Sequence, residues 1–305
     1  KLYTAPAEVF TIADYHARYY AIMRLGIEHD THLVVTANPS TIVEMQNNVN
    51  EYFDDYCNDI EHGTMSAKVN IPDDVRKALV PYLKPNPERA AELRALKAQY
   101  GTVLPKHYWP NMQILNTWKC GNTQVYLDKF KDSFPESMLH QEFGYFSTEC
   151  RFGLVLDDTN YTVMFPHYHY YEFVAEDEIE SENPHFLQLH ELEQGKRYCP
   201  YVTTFAGLYR YNMNDLVEVA TPFLNTPRVF LIQKINGIVT MTGEKLHERQ
   251  FIAAVKAAEE ATGRPTKFFV GFADLEKSAY HFYYEFADQN TTQADAETFT
   301  AVVDE

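Results

Sequence analysis

The rhythm of this chain changes near residue 150, and that change limits the folds open to it. Before it, apolar strand-like runs are followed by helical patterns. Thr31–Ala37 predicts a buried strand, and Asn38-Pro39 predicts the cap and first turn of a helix running to about Ile60. Met112–Thr117, the turn Lys119–Asn122 with its Gly121, and the helical Thr123–Asp132 repeat the unit. Glu142–Phe146 predicts one more strand. Strand followed by helix is the repeating unit of an α/β sheet. From Arg151 to Val219 the helical periodicity is gone. Short strands are predicted at Phe152–Leu156, Tyr161–Phe165, Tyr170–Ala175, His185–Leu192, Arg197–Thr204, Leu208–Tyr211 and Leu216–Val219. Turn signals such as Asp157–Asn160 and Glu193–Gly195 separate them. The expectation is a curved, mostly antiparallel sheet attached to an α/β part.

Other segments fit around this frame. Residues 1–30 carry a helical pattern in Ile12, Tyr15, Tyr19, Ile22 and Met23, and residues 61–110 read as an inserted helical region. Val229–Ile235 is a strong strand, followed by the turn Asn236-Gly237 and an extended Val239–Thr242. His247–Gly263 is an amphipathic helix with Phe251, Ile252, Val255 and Ala258 on one side. Two strands, Phe268–Phe272 and Tyr280–Phe286, and a helical Ala294–Val303 come after it. A helix followed by two strands predicts a new α+β domain. The expected division is 1–242 for a large domain, 243–248 for a hinge and 249–305 for an incomplete small domain.

Composition narrows the function classes. The 305 residues are 45% hydrophobic, enough for a substantial core. A formal net charge of -17 argues against general nucleic-acid binding, which needs a cationic surface to release counterions. It leaves room for a nucleotide held in a cleft with Mg²⁺ and a few local cations. The four cysteines, at 57, 120, 150 and 199, have no metal-type spacing and read as buried free thiols. No apolar stretch approaches a membrane span and no signal peptide is recognisable, so no membrane partner and a cytoplasmic location are expected. The chain opens on Lys1 rather than Met, and we expect an internal piece of a longer protein.

Three constellations carry chemistry. In Tyr145-Phe146-Ser147-Thr148-Glu149, hydroxyls and a carboxylate follow a strand end. Hydroxyls and backbone N–H groups suit a phosphate, and a carboxylate suits Mg²⁺. The plain alternative is a turn in which Ser147 or Thr148 satisfies the backbone. In Gly207-Leu-Tyr-Arg210-Tyr-Asn-Met-Asn-Asp215, the carboxylate at a strand boundary can accept both ribose hydroxyls. Arg210 can offset phosphate charge or pair internally with Asp215 or Glu218. In Lys234-Ile-Asn-Gly237 to Thr242-Gly-Glu-Lys245-Leu246, glycines bracket an extended piece at the domain junction. Such a junction can hinge, and Lys245 is a candidate cation or an exposed linker residue. His167-Tyr168-His169 puts two imidazoles on one face of a predicted strand, without a third ligand at diagnostic spacing. Trp118 lies just past a strand end, as a cleft wall or a core residue. Cys150 has no His/Asp pattern to make it a nucleophile.

These constellations, in this order, resemble the adenylate-forming superfamily of acyl-CoA synthetases, luciferases and adenylation domains. The closer likeness is to the acyl-acid amido synthetases, whose plant members conjugate jasmonate and auxin to amino acids and include auxin-responsive proteins. Tyr145–Glu149 resembles that family's Tyr-x-Ser-(Ser/Thr)-Glu motif, Tyr170-Tyr-Glu-Phe173 its Tyr-Phe-Glu-Phe strand, Gly207–Asp215 its ribose motif and Thr242–Leu246 its hinge. The resemblance implies an α/β fold: part of the large adenylate-forming domain, with mixed sheets and helices, followed by the start of a small α+β C-terminal domain. It implies ATP/AMP and Mg²⁺ as cofactors, and a small carboxylic acid and an amino acid as substrates. Tyr145 or Phe146 would stack near adenine, Ser147 and Thr148 would lie near the α-phosphate, and Glu149 would contact Mg²⁺ or phosphates. Asp215 would hold the ribose and Lys245 would sit at the hinge, with Glu149 and Lys245 the catalytic pair. An acyl-CoA ligase and a non-catalytic nucleotide-binding relative are the alternatives. Three departures stand out. The family's phosphate loop should precede residue 1, its late lysine lies past the end, and Asn214 stands where Gly is usual. The piece alone is therefore expected to be inactive. Asn tolerates a left-handed backbone, so the turn should survive.

Overall fold

The structure is a computed structural model that describes residues 3–235, 238–239, 246–274 and 279–304. The chain forms two compact units, residues 1–144 with 154–161 and residues 145–153 with 162–305.

The first unit combines helices with a three-stranded parallel sheet. The helices are α1 (Tyr15–Gly26), α2 (Ser40–Glu51), α3 (Phe53–His62), α4 (Asp73–Leu79), α5 (Pro87–Tyr100), α6 (Pro105–Tyr108) and α7 (Gln124–Phe130). The strands β1 (Leu33–Val35), β2 (Ile114–Thr117) and β3 (Leu139–Glu142) lie in that order. The expected single helix from Asn38 to Ile60 is two, because Tyr52 leaves helical geometry at φ -104°, ψ 21°. The strand expected to be buried at Thr31–Ala37 is an edge strand whose Leu33 and Val35 are more than half exposed. The strand expected at Glu142–Phe146 runs earlier, because Gly144 takes φ 96° and ends the extended run.

The core of this unit forms where α1 meets α3. Tyr20 and Tyr56 stack with ring centroids 4.3 Å apart. Beside them lies a buried polar cluster. The Asp59 carboxylate accepts from the Tyr20 hydroxyl at 2.6 Å, the Thr64 hydroxyl at 2.6 Å and the Ser66 N–H at 2.6 Å. Fully buried Arg24 donates to the Asp59 carbonyl at 2.8 Å and pairs with Glu28. Every charged group here has a partner, which burial requires.

The second unit is built on an eight-stranded sheet among the described residues. Its strands are β4 (Gly153–Leu154), β5 (Thr162–Met164), β6 (Tyr170–Ala175), β7 (Leu187–Gln188), β8 (Arg197–Thr203), β9 (Tyr211–Asn212), β10 (Asp215–Phe223) and β11 (Thr226–Lys234). The order is β4-β5-β11-β10-β8-β6-β7, with β9 beside β8. The neighbours β5–β11, β11–β10, β10–β8, β8–β6 and β6–β7 are antiparallel, as the short-strand pattern predicted. Inward side chains including Phe152, Tyr171, Phe173, Tyr198, Val217 and Val229 form its core. Most of His185–Leu192 is not strand, because Gln188 and Glu191 cap a short 3₁₀ turn.

The C-terminal part has its own small core. The strands β12 (Ile238–Val239) and β13 (Leu246–His247) pair antiparallel, followed by α8 (Glu248–Thr262), β14 (Thr266–Asp274), β15 (Ala279–Phe286) and α9 (Gln293–Asp304). Phe251, Val255 and Ala258 of α8 and Phe299 and Val303 of α9 pack with Phe269, Phe282 and Tyr284 of the β14–β15 pair. This mixed arrangement agrees with the predicted α+β pattern.

Candidate functional site

The site is assembled where β10 begins and β11 ends. A tight turn at Leu224-Asn225 joins these strands and sets Asp215 opposite Lys234 as Cα partners. Asp215 is 2% exposed; its Oδ2 accepts a hydrogen bond, whereas its Oδ1 meets an ammonium in an ion pair without hydrogen-bond alignment. The Tyr145 hydroxyl donates to Oδ2 at 2.6 Å, and Lys234 Nζ lies 2.7 Å from Oδ1. Lys234 also donates to the Met213 carbonyl at 3.2 Å. The lysine stem is more than half exposed, so one of the two partners of this carboxylate is movable.

Tyr145 is buried and fixed along its length. Its backbone N–H donates to the Thr162 hydroxyl at 2.8 Å, and its ring stacks on Phe152 at 4.0 Å. Burial, then the neighbouring Asp215 carboxylate, pushes the phenol well above its ordinary range, so it remains a proton donor. Phe146 is half-buried, with the Arg151 guanidinium 5.5 Å from its ring centre. Of the two candidate adenine rings, Tyr145 has a face taken by Phe152 and Phe146 keeps some exposed surface.

Ser147-Thr148-Glu149-Cys150 forms the turn of a small hairpin. The Ser147 N–H donates to the Cys150 carbonyl at 3.0 Å, and the Ser147 hydroxyl bonds the Cys150 backbone. The Thr148 hydroxyl donates to Glu149 at 3.1 Å. The backbone N–H of Glu149, then the Ser147 hydroxyl, hold the Glu149 carboxyl below the usual carboxylate range, and the charge of Lys234 acts in the same direction. Glu149 is thus an ionised, partly exposed oxygen donor. Cys150 is buried and its thiol is pushed up to about 12 by desolvation, which disfavours a nucleophilic thiolate. All four cysteines are free and buried, as expected.

The loop before Asp215 has an unusual backbone. Gly207 takes φ 99°, Arg210 φ 45° and Asn214 φ 54°. Asn214 therefore holds the left-handed conformation expected of it, and its N–H donates to the Asn212 side chain at 2.7 Å. Arg210 differs from expectation. Its guanidinium reaches neither Asp215 nor Glu218 but grips Glu172 of β6 through Nε at 2.9 Å and Nη2 at 2.7 Å. The reason is register, since β6 and β9 flank β8 while Glu218 pairs with Arg197. His167 and His169 also depart from expectation. They lie in a turn after Pro166, not on a strand, and His169 packs edge-on against Tyr168 and Tyr171. Trp118, in the first unit, donates its indole N–H to the Gly144 carbonyl at 3.1 Å.

The structure thus brings together Tyr145 and Asp215, with Glu149 in the field of Lys234, and turns Arg210 aside. Lys245 lies outside the described residues, as do residues 243 and 244 of the expected hinge. Sequence reasoning missed Lys234 as the partner of Asp215, although folding the pattern about Leu224-Asn225 would have found it. It quoted Glu172 without giving it a role. Among the described residues no group of three or more His, Cys, Asp and Glu side chains is placed to hold a metal, and no helix is long and apolar enough to cross a membrane.

Residues 1–139 match the GH3 family N-terminal domain and residues 162–234 match the GH3 family central domain. The chain is 26% identical to the indole-3-acetic acid-amido synthetase GH3.10 of Arabidopsis thaliana, over 92% of this chain and 52% of that protein. It is 29% identical to the jasmonoyl--L-amino acid synthetase GH3.5 of Oryza sativa subsp. japonica, over 84% of this chain and 47% of that one. The chain spans about half the length of the curated relatives it matches. A solved GH3.15 acyl acid amido synthetase superposes with a TM-score of 0.79 at 20% identity, covering 99% of this chain and 55% of that structure. The fold is that of the solved GH3.15 acyl acid amido synthetase, a mixed α/β body followed by a smaller C-terminal region.

Proposed function

From a chain that matches the GH3 family through its N-terminal and central domains in order, we infer a part of an ATP-dependent acyl-acid amido synthetase. A carboxylate attacks the α-phosphorus of ATP and pyrophosphate leaves. An amino-acid amine then attacks the acyl carbonyl and AMP leaves. Mg²⁺ supplies charge neutralisation at the phosphates when bound.

The residues of this chain suit the adenosine side of that chemistry. Asp215 receives the ribose hydroxyls as they take the place of the Lys234 ammonium, whose exposed stem lets it swing out. Tyr145 keeps its bond to Oδ2 and holds the carboxylate still. Glu149, ionised and partly exposed, offers hard oxygen ligands to Mg²⁺. Ser147 and Thr148 stand beside it toward the phosphates, Phe146 offers a ring for adenine, and Lys245 acts at a hinge over residues 243–248. The division into a large domain to residue 242 and a small domain from 249 belongs to this proposal, as do the small carboxylic acid and amino acid substrates.

The single observation that carries the reading is the Tyr145–Asp215 hydrogen bond. It joins two motifs that the family likeness had suggested separately. The test is ATP–pyrophosphate exchange by the full-length polypeptide with a panel of carboxylic acids, followed by amide formation with a panel of amino acids. Exchange that depends on an acid is expected, and no exchange across the panel overturns the reading. Exchange with transfer to coenzyme A alone would favour an acyl-CoA ligase. The other alternative is a relative that binds nucleotide without turnover. Binding of ATP without exchange would select it.

A further inference from the structure

We propose that Glu172 is a positioning residue for nucleotide binding, acting through Arg210 to hold the loop that presents Asp215. The proposal rests on the reading of Asp215 as the ribose acceptor and adds a residue that touches no ligand.

The loop between β8 and β10 has to meet three backbone demands, at Gly207, Arg210 and Asn214. Glycine takes a positive φ freely and asparagine does so with little strain, but arginine has no such licence. A non-glycine residue stays in that region only when its surroundings over-determine it. Arg210 is held at three points. Its backbone N–H donates to the Thr203 hydroxyl at 3.0 Å. Its guanidinium makes a two-pronged pair with Glu172. The same guanidinium lies 4.5 Å from the centre of the Phe186 ring. Glu172 is 6% exposed and sits mid-strand on β6, opposite Tyr201 of β8 and Gln188 of β7. A side chain anchored to the middle of a sheet is a fixed point, whereas the Arg210 end is about half exposed.

Geometry then carries the constraint forward. Tyr211 and Asn212 pair with β8, the Met213 N–H donates to the Pro200 carbonyl at 3.1 Å, and Asn214 makes the turn into Asp215. The Arg210 cation is therefore spent on the protein. It is the anchor of the ribose loop and not a phosphate ligand. A two-pronged carboxylate–guanidinium pair fixes orientation as well as distance, which a lysine at 210 cannot do.

The experiment compares wild type with Arg210→Ala, Arg210→Lys and Glu172→Gln in the full-length polypeptide. Backbone hydrogen exchange is followed over residues 204–214, and ATP binding by calorimetry. Arg210→Ala changes a half-exposed side chain and should fold even where the buried Glu172→Gln does not. Faster exchange confined to 204–214, with ATP binding weakened about tenfold, is expected of Arg210→Ala and Glu172→Gln. Arg210→Lys should recover only part of the loss. Unchanged exchange in that loop overturns the proposal. A looser loop with unchanged ATP affinity also overturns it and leaves the nucleotide reading intact. Wild type that fails to bind ATP sinks the nucleotide reading, and the positioning role falls with it.

Discussion

The phenol of Tyr145 donates to Oδ2 of Asp215 at 2.6 Å, across 70 residues of sequence. Tyr145→Phe removes the donor and leaves the ring packed on Phe152. A buried carboxylate oxygen then loses its partner, at a cost of about 1–3 kcal/mol. Urea unfolding should show that loss, and a variant as stable as wild type would mean that Lys234 alone satisfies Asp215.

Asn214 separates backbone demand from side-chain chemistry. Asn214→Gly keeps the φ of 54° accessible and should alter stability by a few tenths of a kcal/mol. Asn214→Ala should cost about 1 kcal/mol, because alanine resists that backbone. Thermal unfolding of the pair checks this, and equal costs would contradict it.

Asp59 is the hub of the first unit's polar cluster. Asp59→Ala strands the Tyr20 and Thr64 hydroxyls and the Ser66 N–H. A loss of about 3 kcal/mol is expected, well above that of an exposed Asp54→Ala control. Denaturant midpoints of the two variants provide the comparison.

His140 makes one part of stability depend on pH. Burial, with the Lys119 charge second, pushes its imidazole down to about 4. Its Nε2 is 2.8 Å from the Thr117 hydroxyl. Above about pH 6.5 neither the folded nor the unfolded imidazole carries a proton. As pH falls from there to 4, the unfolded chain takes up a proton that the folded one refuses, so stability declines and then levels off. His140→Gln should remove that share of the decline. The measurement is the difference between the two proteins' unfolding free energies across this window, and parallel curves would refute it.

The sequence revealed elements and ligating residue types better than it revealed partners. Tyr170–Ala175 was legible to the residue, because its β-branched and aromatic run is bounded by turns. The helix break at Tyr52 was not, because nothing in Asn48–Phe53 is a helix breaker by type. Asp215 stood out by motif and position. Its two partners did not. Tyr145 reaches it through sheet packing, and Lys234 through the β10–β11 hairpin register. Arg210 was noticed as a cation, but which carboxylate it met depended on strand order. Glu172 had no role to read from the sequence until the sheet brought Arg210 to it.

Glu142 shows how one such pairing fixes the alignment of two short strands. Its buried carboxylate accepts the backbone N–H of Lys119 and, at 2.9 Å, that of Gly144, just past the ends of β2 and β3. Strands of four residues have few ladder bonds with which to tell one alignment from the next. A slip of β3 by one residue would move that carboxylate off the Lys119 amide, and only the local bond to Gly144 would travel with it. One side chain thus acts as an end-stop, making a misaligned pairing costly once the surrounding helices bury it.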